Sequence, residues 1–250
     1  MKIQLGDVIQ DQACNIEYFL HPAGGERGIV IVFPGGAYHH LAPHEAAPVA
    51  EKFVEMGFHA AVCYYRVNPV TYPVPLQDAC NAVRYTREHA AELGVKADKI
   101  AVLGFSAGGH LAGMVSNIPE SEDARPNASI LCYPVLSAEE GIGHIGSFHN
   151  LFGNDLPISE YSDFDWIKQA NSNTPPAFLW HTITDTGVPV ENSIKYALKL
   201  KELKIDAELH VYPRGPHGLG LGDRPGMEGQ YNEVKSWAPL CARFLSDRSW

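Results

Sequence analysis

The stretch IAVLGFSAGGHLAGMV, residues 100–115, passes from one structural pattern to another at its midpoint. IAVLG is a continuous apolar run, as in a strand covered on both faces, and HLAGMV continues as a helix. Between them, Gly104-Phe105-Ser106-Ala107-Gly108 fits G-x-S-x-G, the pattern that seats a serine on a sharp turn between strand and helix. Such a turn is strained, and side chains two residues to either side of the serine would collide, hence the glycines. A glycine-rich helix start without chemistry would show the same five letters. The strand before and the helix after are what favour a nucleophile.

A serine hydroxyl reacts poorly at neutral pH, so a base must take its proton and a third group must orient that base. On a strand-turn-helix scaffold of this type the partners follow in the order serine, acid, histidine. Asp185 stands just beyond the apolar run AFLWH, residues 177–181, where a strand end would present an acid. A turn or helix-capping role is compatible with the same position. Asp163, Asp165 and Asp206 are weaker candidates. His217 lies in RGPHGLGLG, directly after the last strand candidate, where the base is required. His181 and His210 sit inside strand candidates and read as packed residues, while His110 reads as support for the serine helix. Backbone donors for a developing oxyanion are expected from Ala107 and from the loop PGGAY, residues 34–38, with Gly36 and Ala37 as the donors. A plain turn is the other reading of that loop.

Further strand candidates are 29–33, 60–65, 129–133 and 207–211, and helical patterns cover 45–56, 76–93, 106–116, 190–203 and 232–245. The alternation predicts an α/β fold with a mostly parallel central sheet and helices on both faces. The 250 residues are expected to form one domain. Residues 137–176 lack a strong period and are read as a lid-like insertion over the active-site end of the sheet.

Composition narrows the partners. The chain holds 45% hydrophobic residues and 29 acidic against 19 basic ones, a formal charge of −10, with no basic stretch to neutralise a phosphate backbone. Nucleic acid is not expected as a partner. Cys14, Cys63, Cys80, Cys132 and Cys241 are scattered and odd in number, as for buried thiols in a reducing compartment. MKIQLGDVIQ lacks an apolar run of signal-peptide length and no stretch approaches a membrane span, so a cytoplasmic protein without membrane contact is expected. His39, His40 and His44 share a loop without a recognisable ligand set, and neither metal nor cofactor is expected. Oligomeric state is not readable from the chain.

Taken in order, FPGGAYHHLAPHEAAPVA, YYRV, PLQDACNAVRY, GFSAGGHLA, TPPAFLWHTITDTGVPVENS and PRGPHGLGL resemble the α/β-hydrolase-fold serine esterases. Within that fold they are most similar to the acetyl-xylan-esterase-like group, near the feruloyl-esterase-like (BD-FAE) and hormone-sensitive-lipase branches. The resemblance implies Ser106 as nucleophile, Asp185 as acid, His217 as base, and Gly36, Ala37 and Ala107 around the oxyanion. It departs at the lipase branch's H-G-G-G stretch, which is Pro34-Gly35-Gly36-Ala37 here. It further implies a carboxylic ester hydrolase removing short acyl groups, acetyl above all, from small esters such as acetylated oligosaccharides. A serine peptidase or amidase would carry the same three residues, and a non-catalytic binding module of the same fold would have lost one of them. Tyr38, His39 and His40 are candidate substrate contacts. The aromatics Phe148, Phe152, Tyr161 and Trp166 either line a pocket or anchor the insertion.

Overall fold

A computed structural model describes residues 1–250. Eight strands, β1 (Lys2–Ile9), β2 (Gln12–Phe19), β3 (Arg27–Phe33), β4 (His59–Tyr64), β5 (Val95–Phe105), β6 (Ala128–Cys132), β7 (Ala177–Thr182) and β8 (Ala207–Tyr212), form one sheet in the order β1-β2-β4-β3-β5-β6-β7-β8. The six strands from β4 to β8 run parallel, and the β1–β2 hairpin joins β4 antiparallel. The helices are α1 (Ala47–Glu55), α2 (Val74–Glu88), α3 (Ala90–Leu93), α4 (Ala107–Asn117), α5 (Ile145–Phe152), α6 (Trp166–Gln169), α7 (Glu191–Glu202) and α8 (Trp237–Ser246).

The continuous apolar runs form strands covered on both faces because successive side chains feed opposite layers. Ile29, Ile31 and Phe33 pack with Ala79 and Val83 of α2, Leu111 and Val115 of α4 and Leu200 of α7. Their neighbours Val30 and Val32 face Val49 and Phe53 of α1 and Trp237 and Phe244 of α8. The helix expected over 76–93 breaks at His89 into α2 and α3, and Gly94 ends it in the left-handed conformation with φ 66°. Arg66, just after β4, clasps the Asp78 carboxylate of α2 with its backbone N–H at 2.9 Å and with its guanidinium, in a nearly dry setting.

The β1–β2 hairpin was not among the expected strands. β2 follows the two-residue period of a strand with one wet face: Cys14, Ile16 and Tyr18 are buried and the residues between them are not. Its turn uses Gln10 and Asp11 at φ 49° and 61°, without the glycine that usually marks such turns.

Residues 137–176 carry α5, a 3-10 stretch at Ile158–Phe164, and α6. Their aromatics point inward. Tyr161 stacks on Phe148 at 5.2 Å and on Phe152 at 5.1 Å, and Trp166 is fully buried against His110 of α4. The anchoring alternative therefore describes them, and none lines the cleft at Ser106. All five cysteines are reduced and buried. No helix is long and apolar enough to cross a membrane.

Candidate active site

Ser106 occupies the turn between β5 and α4 with φ 53° and ψ −117°, a backbone region that costs about 1–3 kcal/mol for a residue with a side chain. The surroundings hold it there. Its N–H donates to the Cys132 carbonyl at 3.0 Å, and its own carbonyl accepts from His110 and Val135, both at 3.1 Å. The flanking glycines are sterically required. A Cβ on Gly104 would overlap the carbonyl of Gly108, and one on Gly108 would overlap the Phe33 carbonyl oxygen of β3. Since β3 connects outward to β4 on one side while β5 continues to β6 on the other, the serine opens at the point where strand order reverses, the usual crevice of an open α/β sheet.

The structure brings three of the expected residues together. The His217 ring, in the loop after β8, places Nε2 2.7 Å from Ser106 Oγ and Nδ1 2.7 Å from Asp185 Oδ2. An ionised carboxylate only accepts, so Nδ1 carries the proton and Nε2 is free to accept from the serine hydroxyl. Asp185 is fixed in turn, with Oδ1 accepting from the N–H groups of Gly187 at 2.8 Å and Val188 at 2.9 Å. His181 Nε2, which donates to the Val188 carbonyl, lies 3.4 Å from Oδ2. Burial pushes the Asp185 carboxyl up, but the hydrogen bonds from His181 and His217, the His217 charge and the Val188 amide outweigh it and hold the group below the usual carboxylate range. The Asp185 side chain is 1% exposed and that of His217 27%, so solvent meets the imidazole and not the acid. The other acids lie elsewhere: Asp165 caps α6, and Asp206 pairs with Arg248. His181 is fully buried as expected, whereas His210 on the edge strand β8 is half-buried and paired with Glu208.

The loop after β3 supplies amides. Gly35 N–H is taken by Glu45 Oε2 at 2.8 Å, whereas the N–H groups of Gly36 and Ala37, which line the cleft, donate to no protein acceptor. Ala107 is the first residue of α4, where the backbone N–H has no partner within the helix. Tyr38 requires a correction. It is 1% exposed, and its hydroxyl donates to His110 Nδ1 at 2.9 Å, so it braces α4 and contacts no substrate space. Burial drives the His110 pKa down to about 3 against the Phe164 carbonyl that accepts from Nε2, leaving the ring neutral. His39 is exposed outside the cleft, while His40 lines it.

Several residues of the site were not anticipated. Glu45, 2% exposed, links the Gly35 loop to Tyr133, whose hydroxyl donates to Oε1 at 2.5 Å and accepts from Gly220 N–H at 2.8 Å. The Tyr133 ring packs edge-on against His217 at 5.0 Å, and His44 Nε2 donates to the Gly218 carbonyl at 2.9 Å. One buried carboxyl thus ties the glycine loop to the histidine loop. The cleft over Ser106 has a volume of about 240 Å³, and His144, from the start of α5, and Arg224 complete its wall. Burial, followed by the nearby His217, lowers the His144 pKa against an opposing pull from Asp185. Larger hollows of about 490 and 580 Å³ lie at α7–β8 and beside α5 and contain none of the three central residues.

A parallel sheet with a serine turn after β5, an acid after β7 and a histidine after β8 has the architecture of an α/β hydrolase. The BD-FAE family model matches residues 17–129. The chain is 36% identical over 230 residues to endo-1,4-beta-xylanase B of Butyrivibrio fibrisolvens, an alignment covering 86% of this chain and 36% of that protein. It is 33% identical over 209 residues to an acetylxylan esterase of Xylanibacter ruminicola, covering 81% and 42%. The chain thus spans less than half the length of either relative. The crystal structure of an acetyl ester-xyloside bifunctional hydrolase from Caldicellulosiruptor lactoaceticus superposes with a TM-score of 0.87 at 36% identity, covering 98% of this chain and 92% of that one. The chain belongs to the α/β-hydrolase esterase family.

Proposed function

We propose that the protein is a serine carboxylesterase that removes short acyl groups, acetyl in particular, from small carbohydrate esters. The observation that carries this reading is the continuous line of 2.7 Å hydrogen bonds from Ser106 through His217 to Asp185 at the floor of an open cleft. Ser106 Oγ forms a bond to the ester carbonyl carbon as its proton passes to His217 Nε2, and the carbonyl electron pair moves onto oxygen. The N–H groups of Gly36, Ala37 and Ala107 receive that oxyanion. Collapse breaks the bond to the alkoxy oxygen, which takes the proton from Nε2 and departs as the alcohol, leaving an acyl-serine. Water, deprotonated by the same nitrogen, then releases the acid and restores the hydroxyl. Asp185, acceptor-only and held by two backbone amides, keeps the imidazole in the competent tautomer and stabilises it when charged.

The small volume of the cleft, about 240 Å³, favours a short acyl chain. The names of the xylanase and acetylxylan esterase relatives and of the acetyl ester-xyloside hydrolase support acetylated xylo-oligosaccharides as substrates. The test is a panel of acetyl, butyryl and octanoyl aryl esters, acetylated xylo-oligosaccharides and aminoacyl amides, assayed with wild type and Ser106→Ala. Acetyl esters are expected to turn over fastest, amides slowly or not at all, and the variant to lose about 10⁴-fold or more of kcat while staying folded. Undiminished ester hydrolysis by purified Ser106→Ala would remove the proposal.

A further inference from the structure

Arg224 follows the histidine loop, and its Nη1 donates to the His217 carbonyl oxygen at 2.9 Å, the single hydrogen bond that its guanidinium makes. It takes part in no ion pair, and while the same is true of Arg27 and Arg87, each of those donates at least two hydrogen bonds to backbone carbonyls; the other six arginines each face a carboxylate. A guanidinium has five N–H donors in a planar fork matched to a carboxylate, and four of these remain without a protein acceptor at a half-buried position on the cleft wall. The rest of the wall exposes no carboxylate. His40, His44 and His144 are neutral or positive in any protonation state, and the one carboxyl in the lining, Glu45, has its oxygens engaged by Gly35 N–H and Tyr133 O–H.

The position of Arg224 also indicates which half of a substrate it meets. His217 Nε2 is the atom that hands its proton to the departing alcohol, and Arg224 is bonded to the backbone of that same residue and lines the same cleft. Resting on the ester-hydrolase reading above, we propose that the alcohol half of the natural substrate carries a carboxylate, as in an acetylated oligosaccharide containing a hexuronate, and that Arg224 binds it. A half-exposed charge-assisted pair of this kind corresponds to about a tenfold preference, smaller at high salt.

The experiment compares acetate release from two monoacetylated methyl glycosides of glucuronic acid, one with the free carboxylate and one with that carboxylate masked as its primary amide, in wild type, Arg224→Gln and Arg224→Lys. In wild type, kcat/KM is expected to favour the free acid by about tenfold, chiefly through KM, and the preference to shrink as salt rises. In Arg224→Gln the ratio should fall to about one, with Arg224→Lys in between. If the arginine served only to hold the histidine loop, its loss would slow both esters alike and leave the ratio in place, which would overturn the proposal. A wild type that cleaves the masked compound with no preference for the acid overturns it as well, while the ester-hydrolase reading stands. Cleavage of neither compound, nor of a simple aryl acetate, overturns both.

Discussion

Replacing Asp185 by Asn changes one atom of its side-chain head and should nearly stop the reaction. Oδ1 accepts from the Gly187 and Val188 amides at 2.8 and 2.9 Å, so the amide oxygen of an asparagine stays at that end. Its NH2 group must then face His217 Nδ1, which now lies 2.7 Å from Oδ2, and would also meet the His181 Nε2–H nearby. Two donors cannot share a hydrogen bond, so the imidazole is expected to move its proton to Nε2, and the lone pair that would deprotonate Ser106 is gone. Recovering the productive tautomer requires turning the amide over. That leaves the Val188 N–H unpaired in a buried setting, at about 1–3 kcal/mol, and the Gly187 N–H unpaired where water can reach it, at a smaller cost. At about 1.36 kcal/mol per decade, and with the stabilisation of the charged imidazolium also lost, kcat should fall by about 10³- to 10⁵-fold. Steady-state turnover of an aryl acetate gives the rate, ¹⁵N NMR of the His217 ring gives the tautomer, and thermal unfolding verifies that the fold persists. A variant within tenfold of wild type, or one whose imidazole keeps its proton on Nδ1, would refute the reasoning.

Three other outcomes follow from buried polar groups. Glu45→Ala strands Gly35 N–H and the Tyr133 hydroxyl, so chemical denaturation should show a loss of about 2–4 kcal/mol, and kcat should drop more than KM rises because both loops are loosened. Asp78→Ala leaves the Arg66 guanidinium buried without its partner and should cost about 3–5 kcal/mol in the same assay, whereas Lys52→Ala, which removes an exposed pair with Glu55, should cost less than about 1 kcal/mol. His110 stays neutral in the fold down to about pH 3 while the unfolded chain binds its proton near 6.5. Its contribution is therefore complete above pH 6.5 and declines as pH falls toward 3, at up to about 1.4 kcal/mol per pH unit. Asp185, with its pKa lowered in the fold, adds loss in the same direction only below about pH 4. Denaturation of wild type and His110→Gln between pH 7 and 4.5 should show a shallower slope in the variant.

The parts of the fold legible in the sequence are those with unbroken apolar runs, because β3 to β8 are nearly all sandwiched between helices and leave little room for polar residues. β1 and β2 were hidden for the opposite reason. One face of that hairpin meets water, so Cys14, Ile16 and Tyr18 alternate with polar neighbours, and the Gln10–Asp11 turn lacks glycine. Ser106, Asp185 and His217 could be picked out because each follows a strand directly, so that placing the strand places the residue. Glu45 could not, since its partners Gly35 and Tyr133 lie 10 and 88 positions away and Tyr133 in turn bonds Gly220 across 87, and only the closed sheet brings them together. His144 and Arg224 lie in irregular segments with no period to follow. Tyr38 was misjudged because a residue beside the glycine loop can point either toward the cleft or into the helix layer, and its hydroxyl finds its acceptor, His110, 72 residues away.

The claim beneath all of this is that the Ser106 hydroxyl, and no other, is made reactive by its neighbours. Incubating the protein with a fluorophosphonate and mapping the adduct by mass spectrometry tests it most directly. One phosphonyl group per chain is expected, located on the peptide containing Ser106, absent in Ser106→Ala and strongly slowed in His217→Ala. Labelling that persists in Ser106→Ala, or a wild-type protein that takes up no label while folded, would contradict it.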